Sequence, residues 1–537
     1  MLFLFLILLY TCLLLLLSQF AKRRAQTASQ FMDGGRRFGV WNVFIMMTAM
    51  WGSSMFAVEI DTAYQSGISA LWYGVSIIVS SLVVAAFLLK PFRNIGYLTS
   101  SHLLGQKYGN KARDVAALVI GITFPIFAMK NVLAAASYLH VILGWSLPIV
   151  LIATTLLVII YVSLGGLWSL AYVQVANLLL FTVGLGVAAY FSFRGTRSVH
   201  VTHLQTLPVS FHDLFGVGAS TLLVWFGMNL LNSVSAQAEF QTIASAKNVK
   251  KGKMGVYLSS VVLIAFAVVP AWLGVAARMG HPLQKNGLLA FPAYLKIVAP
   301  HWAIVLVGLG FWASALIWCA PLMFSGASSL GLDLLNRKSL SHNHDRIRRL
   351  VRLSMLIQGM MIVLYALTRP GDLAWWAVFG LTLRNAAIVG PTLSVLLWPA
   401  VREKTIVFSM IAGVLAGFGW NAVTGLSATV FPFGINPMWV GSGLSLLVIL
   451  LGTLIENRDN LQWTAVKARR RWSAVFIFFC VALLILGVYL PKLHFQSFLG
   501  ADLFLMIFTL FLATVLSTER IQDTSPVPFS MGNRVLS

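Results

Sequence analysis

Charge is what this sequence has least of. Only 10% of its 537 residues are Asp, Glu, Lys or Arg, and just 15 are acidic; soluble domains carry roughly 25% charged residues. So sparse a supply does not cover the surface of a water-soluble globule. Cysteine is nearly missing as well. Cys12, Cys319 and Cys480 all fall in apolar runs without C-x-x-C spacing, which excludes a disulfide framework and a thiolate metal site. No H-E-x-x-H, Asp-rich pyrophosphate motif or nucleophile–His–acid set stands out, so no catalytic constellation and no cofactor site is expected. Ser341-His342-Asn343-His344-Asp345 has metal-ligand residue types, but its basic surroundings read as a solvated linker. Long polar insertions are also absent, so residues 1–537 are expected to form a single polytopic membrane domain. Finally, no basic residue precedes the first apolar run, Leu2 to Ser18, while Lys22, Arg23 and Arg24 follow it. A secretory signal has the opposite order, so this run is expected to be an uncleaved span with its N-terminus outside.

What is abundant is apolar length. Hydrophobic residues make up 59% of the chain, in runs that read as about fifteen spans near the ~20 residues that cross a bilayer. Threaded from an external N-terminus, 29 of the 38 Lys and Arg residues fall in cytoplasmic connections, 7 in external ones and 2 inside spans. Positive residues accumulate on the cytoplasmic side. The threading therefore predicts a multi-pass inner- or plasma-membrane protein with its C-terminus inside. The loop holding Arg337, Lys338, Arg346, Arg348 and Arg349 is predicted cytoplasmic, and the Arg194 to Phe211 loop external. A net charge of +23 would suggest nucleic acid in a soluble protein. Here the basic residues flank spans beside acidic lipid headgroups, and no nucleic-acid partner is expected.

Backbone groups in hydrocarbon must be satisfied internally, so the spans are expected to be helices. Gly52, Pro125, Pro270, Pro321 and Pro391 interrupt several of them. Two polar interruptions carry more information: Trp51-Gly52-Ser53-Ser54 in the second span, and Asn229 to Ser235 in a later one. Transporters often build their sites from broken helices at corresponding positions of two inverted repeats. A five-plus-five repeat would pair these two spans.

A series of motifs runs in order along the chain: Gly34-Gly35-Arg36-Arg37-Phe38-Gly39 before the second span and Ala63-Tyr64-Gln65-Ser66-Gly67 at its end; then Tyr161-Val-Ser-Leu-Gly165-Gly166-Leu167. Gln237, Gln241 and Ala246-Lys247-Asn248 come next, followed by Ser328, Ser329 and Asp333, Gly390-Pro391 and Trp398-Pro399. This ordered series resembles the sodium:solute symporter family, which carries sugars, proline, pantothenate, acetate and similar solutes. The resemblance implies an all-α leucine-transporter-type core of ten helices in two inverted repeats at residues 34–400. One extra helix would precede it at 1–20, four would follow at 401–516, and a cytoplasmic tail would occupy 517–537. A central substrate site and alternating access come with that fold.

The family's usual driving ion is sodium, held by two adjacent Ser/Thr hydroxyls on the eighth core helix and by carbonyls of a broken first helix. Hard cations want oxygen ligands. Here the hydroxyl pair falls on Trp318-Cys319, or on Ile317-Trp318 with a one-residue slip. Ser314, about one turn earlier, could partly compensate. The family's T-D-x-x-Q becomes Val173-Gln174-Val175-Ala176-Asn177, losing the acid, and Thr242 replaces an Arg. The ion-site candidates are therefore Ser314, Trp318, Cys319 and Gln174. Weak or absent sodium dependence is expected, with H+ or Na+ as the possible coupling ion.

Charges at a bilayer centre cost at least ~2.5–3.5 kcal/mol on insertion scales, so they pair or line wet cavities. Glu59 and Asp61 lie inside the first core span, Lys130 in the third and Arg384 in the tenth, with Asn131 and Asn385 beside the two bases. These groups either bind a charged or zwitterionic solute, replace the missing cation, or form internal ion pairs; the acids alternatively sit at the external mouth. Trp51, Ser53, Ser54, Asn131, Asn229 and Asn232 complete the substrate-binding candidates with Glu59, Asp61, Lys130 and Arg384. Trp51, Trp225 and Trp318 equally suit packing, and Asn229 and Asn232 equally suit helix–helix hydrogen bonds. The function these features point to is secondary transport of a small polar or charged solute. A sensor or ion-independent facilitator on the same fold is the alternative, with a membrane-embedded transferase behind it.

Overall fold

Apolar runs become helices along nearly the whole chain. The computed structural model describes residues 2–95, 99–198, 211–280, 286–336, 344–369, 373–427, 430–458, 461–464, 466–491 and 496–520. Helix α1 is Leu2–Lys22 and α2 is Ala28–Asp33. A capping box opens α2: Thr27 Oγ1 accepts from the Gln30 N–H and Gln30 Oε1 accepts from the Thr27 N–H, both at 3.2 Å, satisfying donors that a helix start leaves free. Then come α3 (Val40–Ser66), α4 (Leu71–Val83), α5 (Leu89–Ile95), α6 (Ser100–Tyr108), α7 (Asn110–Leu143) and α8 (Leu147–Ser198). After them lie α9 (Ala219–Ser235), α10 (Gln237–Ala244), α11 (Val249–Gly280), α12 (Gly287–Val298), α13 (His301–Ser328) and α14 (His344–Thr368). The last five are α15 (Leu373–Leu397), α16 (Glu403–Ala422), α17 (Pro437–Glu456), α18 (Lys467–Tyr489) and α19 (Leu499–Ser517). A two-stranded antiparallel ribbon, Leu461–Trp463 with Thr518–Arg520, was not expected from sequence.

Twelve of the described helical segments are long and apolar enough to cross a membrane. Two of them hold more than one predicted span. Straight, the 52 residues of α8 would reach roughly 78 Å at 1.5 Å per residue, over twice the ~30 Å hydrocarbon thickness. The helix kinks at Gly166, with φ 54° and ψ −133°, inside the Gly165-Gly166-Leu167 motif. Similarly, Gly67 with φ 75° ends α3 within the stretch Val40–Asn94. Both backbones take conformations that glycine adopts without a Cβ clash. The short apolar helix α12 is absent from the sequence reading, because its 12 residues are too few to register as a span.

The helices gather into two bodies: Met1–Arg93, Phe124–Leu230 and Ala238–Gly371 in the first, and Asn94–Thr123, Leu231–Gln237 and Asp372–Ser537 in the second. In the first body α3 lies along α11, and α8 packs against α13 and α1. Gly184 on α8 and Gly310 on α13 let the backbones approach: a Cβ on either would stand 3.0 or 3.1 Å from the other's Cα. Such small-residue contacts suit membranes, where burial in lipid gives helices no hydrophobic reason to associate. Tyr10 Oη donates to Asn177 Oδ1 at 2.6 Å and Ser169 Oγ to Ser18 Oγ at 2.7 Å, fastening α1 to α8. In the second body α15, α16 and α17 pack together, and α18 pairs with α19. Arg337, Lys338, Ser341, His342, Asn343, most of the Arg194 to Phe211 loop and most of the tail lie outside the described residues.

Candidate functional site

The polar stretch Trp51-Gly52-Ser53-Ser54 does not break its helix. Helix α3 runs unbroken from Val40 to Ser66, which corrects the expectation of a discontinuous first core helix. The serines are compatible with helix because Ser53 Oγ turns back to the Met50 carbonyl, 3.1 Å away, satisfying itself locally. Gly52 serves packing: a Cβ there would lie 2.9 Å from the Phe266 ring of α11. Trp51 is buried beside it, and Ser54 is half-buried. The later polar stretch, Asn229 to Ser235, is helical too, but α9 does end at Ser235 and α10 begins at Gln237.

Glu59 and Asp61 leave α3 in different directions and meet different neighbours. Asp61 Oδ1 accepts the Gly287 N–H at 2.8 Å, so its carboxylate sits at the N-terminus of α12, where a negative group is favoured. Glu59 is fully buried. Its Oε1 occupies the space left by Gly74 of α4, closed on the other side by Ala267 of α11. The Gly74 amide is near the Glu59 carboxyl but outside hydrogen-bond geometry, and neither carboxyl oxygen has a hydrogen-bond partner among the described residues. An ion pair with Lys130 is one of the alternatives the sequence leaves open, and the described partners of the two acids do not include it.

Lys130 is 9% exposed on α7, and the next residue, Asn131, donates from Nδ2 to the Ser53 carbonyl at 2.8 Å. This bond ties α7 to α3. Asn229 Nδ2 donates to Ser76 Oγ at 2.8 Å while Ser80 Oγ donates to the Asn229 carbonyl at 2.7 Å, binding α9 to α4. In the second body, Arg384 Nη2 donates to Asn232 Oδ1. The adjacent Ser235 Oγ donates to Asn385 Oδ1 at 2.7 Å. Asn229 and Asn232 thus serve different bodies. Ser76 and Ser80 went unnoticed in the sequence, although Tyr73, Ser76 and Ser80 stand three and four apart on one helical face.

Around the ion-site candidates, backbone carbonyls are engaged by side-chain N–H and O–H donors. Pro321 has no N–H, so the Ile317 carbonyl four residues earlier loses its helical partner. A carbonyl freed in this way is the kind of ligand a cation wants. Here Gln174 Nε2 of α8 donates to it at 2.8 Å. Tyr161 Oη donates to the neighbouring Leu316 carbonyl at 3.3 Å, and the Trp318 indole N–H to the Phe127 carbonyl at 2.9 Å. Cys319 is fully buried, and Ser314 Oγ is spent on the Phe311 carbonyl of its own helix at 2.7 Å. Helix α3 is continuous as well, so the Ile317 and Leu316 carbonyls and the Ser314 hydroxyl are all engaged within the protein. Among the described residues no group of three or more His, Cys, Asp or Glu side chains could hold a metal.

The sequence model of the sodium:solute symporter family matches residues 31–413. No curated protein sequence matches the chain. Among solved structures, a Na+-coupled sialic acid symporter in a substrate-bound outward-open state is similar with a TM-score of 0.69 at 17% identity, over 83% of this chain and 96% of that one. Mhp1, a nucleobase-cation-symport-1 family transporter, aligns with a TM-score of 0.48 at 12% identity, covering 80% of this chain and 94% of its own.

Proposed function

Because the chain belongs to the sodium:solute symporter family, and is therefore a multi-pass secondary transporter, we propose that it moves a small polar or charged solute by alternating access with little or no use of sodium. One observation carries the reading on sodium: the carbonyl that Pro321 frees at Ile317 already holds the Gln174 amide. A cation would have to displace that donor and would find neither adjacent hydroxyl, since Trp318 and Cys319 stand in their places. The solute's polarity is supported by the buried cations Lys130 and Arg384, which membrane interiors tolerate when they have work to do. Asn232, Trp51, Ser53 and Ser54 remain candidates for solute contact. Asn131 and Asn229 already hold neighbouring helices and are weaker ones.

A thermal-shift screen of metabolites on purified protein identifies the solute, and uptake into proteoliposomes then tests the mechanism. Replacing sodium with choline at fixed pH is expected to leave concentrative uptake unchanged. Its loss would restore ordinary sodium symport. Uptake that equilibrates without ever concentrating would mark an ion-independent facilitator, and solute binding without uptake a sensor.

A further inference from the structure

If sodium does not drive this transporter, a concentrating cycle needs another ion. Two buried acids among the described residues, Glu59 and Asp502 of α19, have neither carboxyl oxygen hydrogen-bonded, and Glu59, at 0% exposed against 5%, is the more deeply enclosed. It is fully enclosed where α3, α4 and α11 meet, against Gly74 and Ala267, with no hydrogen-bond partner for either carboxyl oxygen among the described residues. Asp61, two residues on, is already engaged with the start of α12. Tyr73 of α4 is within electrostatic reach of Glu59 and begins the stripe Tyr73, Ser76, Ser80. Along that stripe Ser76 accepts from Asn229, and at its far end Ser81 Oγ and Ser260 Oγ of α11 lie 2.6 Å apart.

Several ionisable groups of the surrounding helices have described contacts with other residues. Arg278 of α11 lies over the rings of Tyr64 and Phe211. Lys296 of α12 donates to the Val141 carbonyl, and Tyr161 of α8 to that of Leu316. Cys319 of α13 lies beside Tyr161. Tyr73 is the titratable side chain whose interaction with Glu59 is described. A carboxylate that kept its charge here would lack both water and a counter-charge, the combination membrane interiors exclude. A carboxylic acid in the same place is merely a buried polar group.

We propose that Glu59 is the proton-binding site of the transport cycle. Its carboxyl takes up a proton from the aqueous phase on one side, forming an O–H bond. It carries that proton in the enclosed state and loses it to water when alternating access opens the junction of α3, α4 and α11. No other reactant is consumed. The assignment rests on the reading of the chain as a transporter that sodium does not drive, but it can be tested without a known solute.

The test is labelling of the purified full chain in lipid nanodiscs by dicyclohexylcarbodiimide, which adds to protonated carboxyls in apolar surroundings. Peptide mass spectrometry should find the N-acylurea adduct on Glu59. Its yield should fall as pH is raised, and it should be the same in sodium and choline. Wild type should show a pH-dependent protonated-carboxyl stretch in infrared difference spectra that is missing in Glu59→Gln and displaced in Glu59→Asp. Absence of both the adduct and the band overturns the proposal. Protection of Glu59 by sodium overturns it in favour of a cation site. If the adduct forms as expected but no solute is ever transported, the transporter reading fails while the proton site stands. Where uptake is measurable, Glu59→Gln should lose accumulation driven by a pH gradient.

Discussion

A missing N–H at Pro321 explains why Gln174 sits where it does. Proline inside a helix removes the donor for the carbonyl four residues before it, and in a membrane that carbonyl has no water to turn to. The Gln174 amide reaches across from α8 to replace the donor at Ile317. Gln174→Ala should therefore leave a buried carbonyl unpaired and destabilise the protein by about 1–3 kcal/mol, read as a lower midpoint of thermal unfolding in detergent. In a Pro321→Ala background the helix supplies its own N–H, so the same substitution should cost clearly less. Equal costs in both backgrounds would show that the amide does not serve the proline. The same two residues explain a partial reading from sequence. The loss of the acid and of the hydroxyl pair was visible in the letters, but nothing in them said that the replacement would be a donor to a specific carbonyl.

Among the helices, lengths and approximate ends were legible wherever apolar residues ran past ~20. The breaks were less so. The Trp51 to Ser54 stretch looked like an interruption because it collects polar and small residues, yet Ser53 bonds within its own helix and Gly52 makes room for Phe266. Gly67 is the real end of α3. Its φ of 75° and the backbone of Phe211 packed against it leave no place for a side chain. Gly67→Ala should sharply reduce the yield of folded protein in size-exclusion chromatography. Gly39→Ala, where a Cβ would meet nothing within 4 Å and φ is −76°, should be tolerated. If both variants behave alike, the turn at Gly67 is not limiting for folding. Helix α12 was missed for a different reason: a short apolar helix in a connection resembles a loop when read by hydropathy alone.

At the scale of the molecule, orientation is still carried by the Lys and Arg distribution, 29 cytoplasmic against 7 external in the predicted threading. A cysteine placed at Thr202 should react with an impermeant thiol reagent added outside intact cells, and one at His342 should react only after permeabilisation. The reverse pattern would invert the whole threading, and with it the direction in which Glu59 takes up and releases its proton.

Composition, span order and family were set by the sequence alone, because apolar length, basic flanks and short motifs are local properties that do not depend on which helix meets which. The different fates of equivalent residues were decided by packing. Glu59 and Asp61 are the same kind of side chain two positions apart on one helix. That spacing turns one toward the backbone N–H of Gly287 and the other into an enclosed junction between α4 and α11. Asn229 and Asn232, three apart, are divided in the same way between Ser76 and Arg384. The partners of Asn232, Asn229 and Asp61 lie 152, 153 and 226 residues away in the chain, and no local pattern encodes them.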